Sequence, residues 1–413
     1  MYLRYVFRIE PSPGQRQELA RLFGCARVVY NDGLAARKAA WKAGRSKIKT
    51  ADLQRVVITE AKRTQERAFL ADVGVDPLIQ SLRDLDAAYK NFYDSVSGKR
   101  RGRKVGLPRF KSKREARQSA RFSRNGFRLR GGRLNLAKIG DIRVRWSRPL
   151  PSAASSVTVI KDASGRYLAS FVVEVEPQTL PPAAAEVGID LGLTHFAVLS
   201  DGAVIDNPRF LRRAEHKLRK AQQTLSRKAK GSKNSAKARV GVARAHAKVA
   251  DARRDWLHKE TSRLVSENQA VYLEDLAVSG LARTRPAKSV YDASWGTFRR
   301  MMEEKAALCG RQVGIVGRYV PTSQTCHTCW TIDGPKPLNV RTWTCGGCGT
   351  MHDRDLNASR VILAAGQADR RNASGGTVRP GAEIPPQARP VERGTHPEPQ
   401  SVRTGRQTGI PVP

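Results

Sequence analysis

The sequence predicts a multi-domain α+β chain in which a small β-barrel with a helical insertion precedes an α/β layer domain. Three observations predict it. Residues 2–9 and 122–175 alternate apolar and polar side chains with period two, while residues 14–93 repeat with helical spacing. From Val187 onward strand and helix patterns alternate. Between the halves lies PQTLPPAAA, residues 177–185, which has the composition of a linker.

The elements follow in order. Leu3, Tyr5, Phe7 and Ile9 share one face of a half-buried strand, with Arg4 and Arg8 on the other. Residues 1–13 and 115–180 are therefore expected to form one barrel, since FRLR, RLNL, DIRVRW, TVIK and YLASFVVEV are short strands punctuated by Gly131-Gly132 and Asp162-Ala163-Ser164-Gly165. The insertion, 14–114, carries helical sets such as Leu19, Leu22, Phe23, Ala26 and Leu82, Leu85, Ala88, Tyr89, Phe92, and ends in a basic loop. The α/β domain is expected over 186–320 and 350–372, with a basic helical hairpin at 209–258 and a four-cysteine element at 321–349. Residues 373–413, rich in Pro and Gly and without apolar periodicity, are expected to be a disordered tail.

Charge narrows the function. Lys and Arg number 75 against 37 acids, a formal +38, which implies a polyanionic partner, nucleic acid first. The basic residues come in runs. Lys99, Arg100, Arg101, Arg103, Lys104, Arg109 and Lys111 lie in GKRRGRKVGLPRFKSKR, and Lys217, Arg219, Lys220, Arg227 and Lys228 lie on the helical hairpin. No apolar stretch is long enough to span a membrane and MYLRYVFRIEP lacks a signal-peptide core, so a cytoplasmic protein is expected.

Cys326-x2-Cys329 and Cys345-x2-Cys348, fifteen residues apart, have the spacing of a four-thiolate zinc site. Four thiolates leave no coordination position for water, so that zinc is structural. His327 is a spare donor. Cys25 and Cys309 fall within helical apolar patterns and read as core.

Three acidic segments stand out because a carboxylate in an apolar strand needs compensation. Asp190 interrupts GIDLG, Glu274 and Asp275 close VYLEDL, and Asp353 and Asp355 lie in HDRDLNA ahead of a helical run. An acid before a helix also serves as a cap, and the residues alone do not choose within either pair. Together the three segments suit phosphodiester cleavage by two magnesium or manganese ions about 4 Å apart on shared carboxylates.

These motifs, their order, KVGLPRF at 104–110, LDAAYKNFY, LRKAQQTLSRK and RTWTCGGCGTMHDRDLNAS resemble the TnpB proteins, transposon-encoded RNA-guided nucleases related to type V CRISPR effectors. The resemblance covers the chain to about Gly366. It implies an RNase H-like (RuvC) nuclease domain with Asp190, Glu274 and Asp355 as the catalytic acids, and it selects the last two over Asp275 and Asp353. It further implies that Cys326, Cys329, Cys345 and Cys348 bind zinc in an insertion of that domain, that the barrel is a wedge domain, and that the helical insertion is a recognition domain for a short motif beside the target. Guide RNA and target double-stranded DNA are the implied partners, with the protein monomeric in the RNA complex. Two rivals remain: a nuclease-inactive RNA-guided repressor, and an RNase H-like-fold ATPase, which GIDLGLT also resembles.

Overall fold

Strand β1 (Tyr2–Glu10) buries Phe7 and Ile9 and leaves Arg4 and Arg8 exposed in a computed structural model, which describes residues 1–46, 48–100, 102–113, 117–337 and 339–373. Arg101 and the tail from 374 fall outside the described residues. β1 is central to a seven-stranded antiparallel sheet with β2 (Gln118–Ser123), β3 (Phe127–Arg130), β4 (Arg133–Leu136), β5 (Gly140–Arg145), β6 (Ala154–Lys161) and β7 (Tyr167–Glu174), in the order β2-β6-β7-β1-β5-β4-β3. The edge strands β2 and β3 are joined by only Arg124–Gly126, so the chain itself ties the two edges together and the sheet is nearly closed.

Helix α1 (Pro13–Lys42) starts at a capping box. Ser12 Oγ accepts from Gln15 N at 3.3 Å and Gln15 Oε1 accepts from Ser12 N at 3.0 Å, with Pro13 at the first helical position. After the short α2 (Thr50–Gln54), α3 (Val75–Val96) returns against α1. The two helices meet closely at Gly33, where an added Cβ would lie 2.7 Å from Leu82. Leu19, Leu22, Leu78 and Leu82 share one buried cluster with Phe122 and Phe171 of the sheet, so helical insertion and sheet bury a single core.

Two compact units emerge: Met1–Thr179 with Phe210–Lys259 and Leu308–Gly310, and Leu180–Arg209 with Glu260–Ala307 and the residues from Arg311. The hairpin of α4 (Phe210–Ser226) and α5 (Lys233–Glu267) thus lies, as far as Lys259, in the first unit, although its sequence falls within the limits expected for the α/β domain. Its anchors explain this: Asp251 on α5 pairs with Arg166, and Arg244 Nε donates to Ser164 O at 3.3 Å.

The second unit is built on β8 (Glu186–Leu191), β9 (His195–Leu199), β10 (Val204–Asp206), β11 (Ala270–Glu274) and β12 (Gln312–Val316), ordered β10-β9-β8-β11-β12. β8, β11 and β12 are parallel, while β9 and β10 run antiparallel to their neighbours. Ala270 to Leu273 are all buried, as expected of a strand covered on both faces. Between β11 and β12 come α6 (Val278–Leu281), α7 (Ala287–Ala293) and α8 (Trp295–Cys309), whose Phe298 packs edge-on against Phe196 of β9 with centroids 5.1 Å apart. A small ribbon, β13 (Thr342–Thr344) with β14 (Met351–Asp353), leads into α9 (Arg354–Ala373).

Helix α9 lies so close to the sheet that side chains are excluded from the contact. A Cβ on Gly188 would fall 2.2 Å from Ser359 O and 2.5 Å from Leu363 N, while Gly314 and Gly366 leave space for the ring of Tyr272 between them. Gly188→Ala should therefore cost about 3 kcal/mol, the upper range for forcing volume into a packed core, and lower the thermal unfolding midpoint. Calorimetry of the variant checks it.

Candidate functional site

The seating of α9 brings the three acidic segments together. Asp190 is near the end of β8 and Glu274 ends the neighbouring parallel β11, one residue past the Ile189↔Leu273 pair. Asp355 is in the first turn of α9. All three line one cavity of about 370 Å³, with Arg341, Arg354, Trp295, His195, Thr322 and Ser323 among its other walls.

The acids beside them are otherwise engaged. Asp353 caps α9, its Oδ1 accepting from Asp355 N at 3.0 Å and Leu356 N at 2.9 Å. Asp275 is held by Arg318 at 2.6 Å and Arg299 at 2.8 Å, and those guanidinium groups keep its carboxyl below the ordinary range. Glu274 differs: burial, then the charge of Asp275, raises its pKa. Asp190 is pushed from 3.8 up to about 7, first by burial and then by the charges of Asp355 and Glu274, against a smaller pull from Arg354 and Arg341. Negative charge is thus concentrated beyond what the protein itself neutralises, and hard oxygen donors of this kind fit divalent cations such as magnesium or manganese. Arg341, with no signal in the sequence pattern, donates through Nη1 to both oxygens of Asp355 at 3.1 and 3.2 Å.

The four cysteines converge as well, their Sγ atoms all within 4.8 Å of one another. They come from two turns of the same design. Cys326 N donates to Thr331 O at 3.0 Å and Cys345 N to Thr350 O at 2.9 Å; Trp330 N returns to Cys326 O at 2.9 Å and Gly349 N to Cys345 O at 2.8 Å. The residue after the second cysteine is left-handed in both, φ 62° at Trp330 and 70° at Gly349, a conformation glycine adopts freely and tryptophan does not. Four sulfurs gathered this closely are a donor set that suits zinc.

His352, which the sequence did not single out, is buried with Nε2 3.0 Å from Cys326 Sγ. His327 is neither a ligand nor a free surface group. Its Nδ1 donates to Asn357 Oδ1 at 3.0 Å and its Nε2 accepts from Arg360 at 3.1 Å. Asn357 also donates to Thr325 O at 2.7 Å, and Arg354 N donates to Arg341 O at 2.7 Å. The cysteine element therefore clamps the first two turns of α9, and Asp355 with them.

Of the basic residues expected to face nucleic acid, Lys99, Arg100, Arg103, Lys104, Arg109, Lys217, Arg219, Lys220, Arg227 and Lys228 are exposed. Lys111 is half-buried instead. Its backbone is bracketed by the Asn31 amide at 2.8 and 3.0 Å, its ammonium lies 3.7 Å from the centroid of the Tyr30 ring, and burial lowers its pKa.

Residues 170–285 match the OrfB family of IS605, described as probable transposase, and residues 295–362 match the Cas12f1-like TNB domain. A putative RNA-guided DNA endonuclease of Streptomyces pristinaespiralis is 44% identical over 383 residues, covering 92% of both chains. The chain belongs to the TnpB family. A second relative in this family, the putative RNA-guided DNA endonuclease InsQ of Escherichia coli, is 32% identical and covers 88% of this chain and 92% of its own. A helix-turn-helix domain matches residues 1–46, where this TnpB protein has strand β1 and the single long helix α1. The fold is shared with a solved Cas12f1-sgRNA-target DNA complex at a TM-score of 0.51, with 12% identity and 85% and 82% of the two chains covered. Among the described residues of the TnpB chain no helix is long and apolar enough to cross a membrane.

Proposed function

We propose that the chain is a transposon-encoded RNA-guided DNA endonuclease whose cutting centre is Asp190, Glu274 and Asp355. The observation that carries the assignment is that three acids from three separate elements line one cavity while their sequence neighbours Asp275 and Asp353 are committed to arginines and a helix cap. The sheet supports an RNase H-like (RuvC) reading: three successive antiparallel strands followed by two parallel ones, with the acids on adjoining strands and at the start of the covering helix.

Two divalent ions, when bound, would generate hydroxide from water and stabilise the leaving oxygen. The chain's own residues hold and orient. Asp190, Glu274 and Asp355 would supply the oxygen donor set that holds the ions, Asp190 from the buried end of the cavity. Arg341 and Arg354 offer positive charge at the wall of the cavity where a phosphate backbone would lie. Cys326, Cys329, Cys345 and Cys348 fit a structural zinc, since all four positions are thiols. The exposed cations of residues 99–109 and of the α4–α5 hairpin supply sequence-independent affinity for guide RNA and DNA.

The test is to purify the chain with its co-purifying RNA, sequence that RNA, and supply magnesium and duplex DNA matching its 3′ end beside a randomised flank. Cleavage confined to matching DNA is expected. Tight retention of that DNA without cleavage would make the chain a repressor instead.

A further inference from the structure

Among the described residues that wall the cavity with the three acids, Trp295 has a polar group with nothing to bond. The residue is 4% exposed, yet its indole N–H is buried without a hydrogen-bond partner. Buried donors are almost always satisfied, and one left open costs the full desolvation of the group. The backbone that presents it is unusual as well. Ser294, immediately before, adopts the left-handed conformation at φ 58°, which ends α7 and starts α8 at Trp295 itself. Non-glycine residues are held there at an energetic cost, and such strain gathers where a side chain must be aimed. A phenylalanine would fill such a place without stranding a donor.

We infer that the Trp295 indole N–H is reserved for an oxygen that arrives with the substrate, a non-bridging oxygen of the scissile phosphodiester, and that it stabilises the charge that grows there as the bond breaks. This rests on the assignment of the cavity as the cutting centre. The group suits the task. A neutral donor in a cavity already lined by Arg341 and Arg354 adds direction without repelling cations held by the acids, and a hydrogen bond to a charged oxygen is among the stronger kinds.

The experiment replaces Trp295 with β-(3-benzothienyl)alanine, which keeps the shape of the ring system and exchanges N–H for sulfur, with Trp295→Phe as a second variant. With guide RNA, magnesium and matching DNA, the benzothienyl protein is expected to cut roughly ten- to a hundredfold more slowly at saturating DNA, the loss of one charge-assisted hydrogen bond. Its DNA affinity and thermal midpoint should be unchanged. A phosphorothioate at one diastereomeric position of the scissile phosphate should slow the natural protein more than the benzothienyl protein, a difference that a purely structural role would not produce. Cutting at the natural rate, or an equal phosphorothioate effect in both proteins, would overturn the inference. If Asp190→Asn also cut normally, the reading of the cavity itself would fail; if Asp190→Asn were inert while the benzothienyl protein stayed fully active, only the role of Trp295 would.

Discussion

Asp190→Asn is expected to abolish DNA cutting, by roughly a thousandfold or more, while leaving RNA and DNA binding intact. The amide keeps the volume and removes the charge, and with it the burial cost and then the crowding by Asp355 and Glu274 that drive the Asp190 carboxyl up to about 7. The variant should consequently be at least as stable as the parent without added metal, so loss of cutting is not a folding effect. Binding survives because affinity comes from cations spread along the chain, whose Lys and Arg total 75. The contrasting substitution is Asp275→Asn, next to Glu274, which loosens Arg299 and Arg318 and should lower stability while cutting persists. Plasmid cleavage and gel-shift assays on the two variants side by side provide the check. Comparable activity in Asp190→Asn and the parent would remove the three-acid assignment.

Stripping the metal from the cysteine element, by chelation or by Cys326→Ser, should silence the enzyme as thoroughly. Cys326 and Cys345 are buried in the small cluster formed with Trp343, and the sulfurs gathered within 4.8 Å would repel as thiolates or oxidise to disulfides without an ion between them. Loss of the element frees His327, Asn357 and the Arg341–Arg354 link, so the first turns of α9 lose their clamp and Asp355 its place. Folding free energy in such elements is metal-binding free energy, so the expected sign is a lower unfolding midpoint together with lost cutting. Re-addition of zinc should restore both in chelated protein and neither in Cys326→Ser. Zinc content by mass spectrometry, measured with cleavage on the same samples, decides the matter. Full cutting by zinc-free protein would uncouple the two centres.

What could be read from the chain beforehand follows from where the forces are local. β1 was legible because Phe7 and Ile9 alternate with Arg4 and Arg8, and the cysteine pairs because two turns must each offer two thiols with two residues between them. Asp190 showed itself as a charge among residues that want to be buried. The preference for Glu274 over Asp275 that the proposal adopts was not legible without family likeness, since its structural support is Arg299 and Arg318, which reach Asp275 from α8 and from beyond β12. Asp353 and Asp355 differ only in which one turns back onto the helix. Lys111 looked like one more cation in a basic run, and only the distant Tyr30 and Asn31 make it structural. The attachment of Phe210–Lys259 to the first unit likewise rests on single long-range bonds that leave no periodic trace.

The cysteine turns stand between β12 and α9, so the last acid is reached only after the chain has passed through them. A message cut short anywhere between Val316 and Arg354 would still encode the whole nearly closed sheet with its helices, the basic hairpin and two of the three acids. On the proposed assignment, its product keeps the basic surface and lacks the third acid, so binding without cutting is the expected result.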